Sequence, residues 1–166
     1  LEEDRAIRFQ VILAIDEMAR RFTDLRVDRE IIESALMSDA LLYFRRQVIF
    51  SALFGQPEKA SDHRESLLYH ALNDSMERVT ERMMWLLSLI YPGKDIRHAW
   101  AGLLSNDPVS RAHGIELLDN LLTGNVKSYV FPIFSDGQPD QRRRAALNLL
   151  GLGSFDGGEA IRALLE

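Results

Sequence analysis

The 166-residue chain has no cysteine, which excludes disulfide frameworks, thiolate metal sites and cysteine nucleophiles. It also lacks any run approaching ~20 uncharged apolar residues, the length a bilayer-spanning helix needs. Basic residues are in the minority, 20 against 25 acidic. The resulting net charge of −5 works against a broad electrostatic grip on nucleic acid, which requires a basic face. Alternation of period 2 between turn residues, the mark of strands, is hard to find. What is present, 46% hydrophobic and 27% charged residues, is the balance of one ordinary globular domain. The chain starts at Leu1, without an initiator methionine or a charged-then-apolar leader, and reads as an excised or processed piece.

The 3.6-residue period runs almost throughout, so the expected fold class is all-α. Ile7, Val11, Ile15, Met18 and Phe22 form one apolar stripe on a helix over about 3–22, expected to face a partner helix. Asp28 offers an N-cap to a second helix with Ile31, Ile32, Ala35 and Leu36 on its buried side. Residues 39–54 continue or restart it, and Gly55 and Pro57 close it. A long helical pattern over about 62–90 has a break expected near 73–75. Its apolar patches are Leu67, Leu68, Ala71 and Leu72, then Val79, Met83, Leu86, Leu87 and Ile90, and Tyr91-Pro92-Gly93 stops it. Shorter helices follow. Asp95 and Asp107 are their expected caps, Pro108 the first residue of one, and Gly124 its expected end. Further helices are expected over 125–134, about 140–152, and 156 onward.

The second half repeats. An offset of 32 residues brings Asp107, Arg111, Gly114, Ile115, Leu117 and Leu118 onto Pro139, Arg143, Ala146, Leu147, Leu149 and Leu150. A period of that size carrying one helix pair is the signature of an α-solenoid, whose units bury their apolar faces by stacking on neighbours. Gly114 and Ala146 are small, which would let the paired helix approach closely. Arg111, one turn inside its helix, is placed to brace the turn through Asp107. Pro132 should start or kink the first helix of its pair.

The segments "DPVSRAHGIELL" and "PDQRRRAALNLL" resemble the second helix of a HEAT repeat, and "VFPIFSD" resembles the first. The closing "GGEAIRALLE" is similar to the first helix of a further unit, which implies a native chain continuing past Glu166. More narrowly, "IRFQVILAIDEM", "VDREIIESAL", "LIYPGKDIRHAWAGLLSNDP" and "RAHGIELLDNLL" resemble the HEAT-containing cytoplasmic region of bacterial transporters of the major facilitator type, related to nucleotide (ATP/ADP) carriers. That resemblance implies helical repeats following a membrane domain, sometimes with a cyclic-nucleotide-binding domain beyond. It implies no catalytic residues within the repeats.

Each candidate site has a plainer explanation beside it. His63 and His70 would share a helix face and His113 with Glu116 is an i, i+3 pair, but a metal needs three or four converging ligands, so these read as surface or cap residues. Gly151-Leu152-Gly153 and Gly157-Gly158 precede a helix as phosphate loops do, yet no strand precedes them and no Lys-Ser/Thr follows; inter-repeat turns explain them. Arg142, Arg143 and Arg144, with Arg45-Arg46, could suit nucleic acid, an anionic lipid headgroup or an acidic partner patch. Trp85, Trp100, Tyr91 and Phe131 read as core. No nucleophile elbow or base-orienter pairing is present.

The expected architecture is a HEAT/armadillo-like right-handed α-α superhelix of about eight helices in a single domain over 1–166, irregular over 1–92 and HEAT-like over 93–166, with the last repeat truncated. The expected function is non-catalytic: a protein-binding, scaffolding or regulatory module, not an enzyme, needing no cofactor and no metal. The resemblance makes it the cytoplasmic part of a larger bacterial membrane transporter-like protein, possessing no membrane span of its own. The expected partner-binding face is Ser110, His113, Glu116, Gln141, Arg144 and Asn148, exposed on the concave face that neighbouring second helices, 108–122 and 140–152, form together. The partner would be a protein or another domain of the same chain, not nucleic acid, and Ile161, Leu164 and Leu165 could pair with a second copy. The alternatives are a HEAT-like nucleic-acid-binding protein or DNA glycosylase, which would need a continuous basic concave face, and a phycobilin-lyase-like protein, which would need an apolar groove.

Overall fold

A computed structural model describes residues 2–21, 27–54 and 66–135. Among them lie six helices: α1 Glu2–Arg21, α2 Arg29–Phe54, α3 Leu67–Ile90, α4 Gly93–Leu103, α5 Pro108–Leu121 and α6 Gly124–Phe134. No strand occurs among the described residues. The all-α expectation is therefore met there; the two further helices expected over about 140–152 and 156 onward lie outside the described residues.

Asp28 caps α2 as its position suggests, with Glu30 N donating to Asp28 Oδ1 at 2.9 Å. The helix does not restart at Asp39. Ile32, Leu36, Ala40 and Tyr43 form one buried stripe, and Asp39 stands within it. Its carboxylate is satisfied across the helix pair: Arg82 of α3 donates from Nε to Oδ2 at 2.7 Å and from Nη2 to Oδ1. A buried charge answered by a bidentate guanidinium costs far less than one left alone, so the helix runs straight through. The break expected near 73–75 is absent for a similar reason. Asn73 Nδ2 donates to Glu77 Oε1 at 2.7 Å along the helix surface, and Ser75 O accepts from Arg46 Nη1 of α2 at 3.1 Å.

Three apolar patches differ from expectation. On α1, Ile7, Val11 and Met18 are exposed rather than facing a partner helix, Ile15 is half-buried, and Phe22 lies outside the described residues. On α3, Leu67 is 87% exposed and Leu68 and Ala71 are also exposed, leaving Leu72 as the buried member. On α2, Ile31 is exposed while Ile32 and Leu36 are buried. A helix buries a stripe rather than a run, so adjacent apolar residues divide between core and solvent. The second α3 patch, Val79, Met83, Leu86 and Leu87, is buried as expected.

The helices share one main core, and Ile49 of α2 with Leu72 of α3 forms a second, smaller cluster. α2 packs on α3, α3 on α4, α4 on α5 and α5 on α6, while α6 returns to α2 and α1 lies against α3. The five helices α2 to α6 thus form a closed ring around Phe44, Leu36, Met83, Leu87, Ile96, Leu118, Val126 and Val130. Tyr129 Oη of α6 donates to Glu33 O of α2 at 3.1 Å, closing the ring across 96 positions of sequence. Burial, then the Glu33 and Tyr91 charges, pushes the Tyr129 hydroxyl up to about 12. Beside it, Tyr91 Oη accepts from Arg29 Nη2 and Thr123 N, both at 3.4 Å, and Arg29 lies over the Tyr91 ring at 5.3 Å. Tyr91, the residue that ends α3, thereby joins the starts of α2 and α6.

Gly124 does not end α5. That helix stops at Leu121, and Gly124 opens α6 at φ +57, a left-handed conformation that favours glycine. Pro132 sits inside α6, near its C-terminal end, rather than starting it. Asp95 lies in the first turn of α4, whose N-cap is Pro92.

Candidate partner-binding face

The surface on α5 is built on a tight helix crossing. A Cβ on Gly114 would meet Ala99 O at 2.8 Å and Leu103 N at 2.9 Å, while one on Gly102 would meet Ser110 O at 2.8 Å and Gly114 Cα at 2.9 Å. All of these are backbone atoms, so α4 and α5 touch main chain to main chain. The smallness of Gly114 is legible in sequence; its counterpart Gly102 is visible only in the fold.

The turn between the two helices is fixed by hydrogen bonds. Asp107 Oδ2 accepts from Ser110 N at 2.9 Å and Ser110 Oγ at 2.6 Å, and Pro108 occupies the first turn. The Ser110 hydroxyl, then the Ser110 amide, holds the Asp107 carboxyl below its ordinary value. Arg111 Nη1 donates to Leu103 O at 2.8 Å, which ties this turn to the carbonyl that ends α4. On the far side, Lys127 Nζ of α6 contacts both Asp119 O at 2.8 Å and Asp119 Oδ1 at 2.9 Å.

With Gly114 and Leu118 turned inward, helical geometry sends Val109, Ala112, His113, Glu116 and Asn120 to the opposite side, and all five are exposed. His113 and Glu116 are therefore exposed, on the side of α5 turned away from the α4 crossing. Ser110 is half-buried and committed to the cap, and Val109, 62% exposed, takes its place among the outward residues. Val109 escapes a sequence reading because an apolar residue beside a proline reads as core until the helix phase is known. Gln141, Arg144 and Asn148 lie outside the described residues, as do Arg142, Arg143, the glycine pairs at 151–153 and 157–158, and Ile161, Leu164 and Leu165.

Other candidates resolve into structural roles. Arg46 straps α2 to α3 through Ser75 O. Tyr91, Trp100 and Phe131 are half-buried against the core, with Trp100 edge-on to Phe134 at 6.2 Å, and Trp85 is half-buried. His70, His98 and His113 are exposed, His63 lies outside the described residues, and among the described residues no three His, Asp or Glu side chains converge as a metal would require. No helix among them is long and apolar enough to cross a membrane. Compared with protein-family models, with curated proteins and with solved structures, the chain finds no match.

Proposed function

We propose that this chain is a non-catalytic scaffold that binds a protein partner, or another domain of a longer chain, through the outer face of α5. In this reading α4 and α5 are a HEAT-like pair, α6 is the first helix of the next, and residues over about 140–152 supply its second, completing the face with Gln141, Arg144 and Asn148. The first half folds across the pairs, with α2 against α6. The observation carrying the reading is the Gly102–Gly114 crossing. It locks α4 to α5 at the position where the 32-residue repeat carries a small residue, and so holds His113, Glu116 and Val109 on a rigid support. The attachment to a bacterial transporter-like membrane protein, on the cytoplasmic side, rests on the sequence resemblance alone.

The test is capture from bacterial lysate and from detergent-solubilised membranes, with the His113→Glu/Glu116→Arg variant as control. Both residues are exposed, so the variant should retain its helical content and melting temperature. Recovery of one defined protein, lost with the variant, supports the reading. Recovery of nucleic acid, or of proteins held equally by the variant, overturns it.

A further inference from the structure

We infer that Gly124 is a conformational switch: its left-handed turn folds α6 back onto its own chain, and without that turn α5 and α6 run on as one helix that delivers α6 to α2 of a second copy. The inference concerns the hinge between these two helices and does not rest on the function proposed for the α5 face.

The contacts of α6 are mostly with elements other than the one it follows. It packs more on α2 than on α5. Tyr129 Oη donates to Glu33 O of α2, and Phe134 meets Trp100 of α4 edge-on. These contacts are the same whether α6 comes from its own chain or from another, which is the condition for exchange between copies. The apolar pattern does not register the turn either. Leu118, Leu122, Val126, Tyr129 and Ile133 are all buried, and their positions are spaced by four, four, three and four. That is a single helical stripe running through the connection, so residues 108–134 can form one straight helix with the same face inward.

Three features hold the reversed form. Thr123 N donates to Tyr91 Oη at 3.4 Å. Lys127 Nζ reaches Asp119 O at 2.8 Å and Asp119 Oδ1 at 2.9 Å. On one straight helix residues 119 and 127 would stand about 12 Å apart, so the Lys127 contacts exist only when α6 folds back. The third feature is the turn itself. Leu122 and Thr123 are extended, and Gly124, at φ +57, is the one residue of positive φ among the described residues. A Cβ on Gly124 would meet no atom within 4 Å, so backbone conformation alone distinguishes glycine from alanine there. An L-residue is disfavoured at positive φ, and glycine is disfavoured inside a helix. Alanine at 124 therefore penalises the turn and favours the straight helix at once. Each effect is worth at least about fivefold, so a dimer, in which two chains gain both, is favoured by at least about a hundredfold.

The test compares the whole 166-residue chain with its Gly124→Ala variant, each refolded from urea and followed by sedimentation velocity over about 1 to 100 µM, the range of weak dimers. The variant should dimerise with a dissociation constant at least about a hundredfold lower and with the same helical content by circular dichroism. Exchange, as distinct from any other pairing, is read by cross-linking in a chain without native cysteine. Ser34 and Ser128 are exposed beside the Glu33–Tyr129 contact. Chains carrying Ser34→Cys refolded together with chains carrying Ser128→Cys should be joined by a short bismaleimide at least about tenfold more on the Gly124→Ala background than with glycine at 124. Asparagine tolerates the left-handed turn, so Gly124→Asn should exchange far less than Gly124→Ala. Should Gly124→Ala fail to fold, Asp119→Lys, which sets like charges together only in the reversed form, should raise the same cross-link. No gain in cross-linking, a dimer that lacks it, or exchange as strong in Gly124→Asn as in Gly124→Ala would each overturn the inference.

Discussion

Replacing Gly114 by alanine should destabilise this protein, although the same change in an ordinary exposed helix would stabilise it. Alanine is favoured over glycine inside a helix by about 1 kcal/mol. Against that gain stand contacts of 2.8 Å to Ala99 O and 2.9 Å to Leu103 N, and Gly102 C at 3.0 Å. None of these atoms belongs to a side chain that could change rotamer, so α4 and α5 must move apart by roughly half an ångström to restore ordinary contact near 3.5 Å. Separation also loosens Ala99, Leu103 and Leu118, which are buried at this crossing. Overpacking of this kind costs about 1–3 kcal/mol, and more when only backbone can yield. The expected net effect is a loss of about 1–2 kcal/mol, or about 2–8 °C in melting temperature for a chain of this size. Urea denaturation followed by circular dichroism measures it. Gly102→Ala should behave alike, and the double variant should cost less than the sum because the helix separation forced by one Cβ also makes room for the other. Gly93→Ala is the control: its Cβ would meet the flexible end of Arg97 at 3.1 Å and Ser88 O at 3.3 Å. A stabilised Gly114→Ala would show that the helices do not touch main chain to main chain, and would refute the reasoning.

Removing Arg82 with Arg82→Ala strands the buried Asp39 carboxylate and should cost about 3–5 kcal/mol, whereas Asp39→Leu/Arg82→Met should be near neutral in denaturant unfolding. Asp107→Ala removes the α5 cap and should lower the urea midpoint at neutral pH. Because the folded Asp107 carboxyl is held below its ordinary value, the cap's electrostatic contribution is present above the unfolded value and is lost as pH falls through the folded one; a stability profile in acid, compared with Asp107→Asn, checks this. Tyr129 behaves oppositely. Its hydroxyl stands at about 12 against an ordinary 10, so the ring closure is fully present below pH 10 and weakens by up to about 2 kcal/mol as pH rises from 10 to 12, a slope that Tyr129→Phe should remove.

Much of the local structure is legible in the residues. The Asp28 and Asp107 caps, the stop at Tyr91-Pro92-Gly93 and the small residue at 114 each depend on chemistry confined to a few neighbouring positions, and each stands where it is read. What is not legible depends on distant partners. Asp39 leaves open in the sequence whether the helix continues or restarts, because an aspartate often caps; only Arg82, 43 positions away, makes it a core residue of a continuous helix. Its place on the buried stripe between Leu36 and Tyr43 is the signal that could have found it. Gly124 reads as a terminator because glycine commonly follows a helix, and the same left-handed conformation serves here to begin one. The candidate face divides in the same way. His113 and Glu116 follow from the repeat, whereas the exchange of Ser110 for Val109 follows from helix phase, which the Gly102 contact sets.

The central structural claim is that α2 and α6, far apart in sequence, meet and close five helices into one rigid support. Spin labels on Ser34→Cys and Ser128→Cys, exposed neighbours of the Glu33–Tyr129 contact, measure it directly in a chain free of other thiols. Helix axes about 8–10 Å apart predict one narrow distance distribution, short enough to lie below about 30 Å. A broad distribution, or one centred well beyond that distance, would contradict the closed ring.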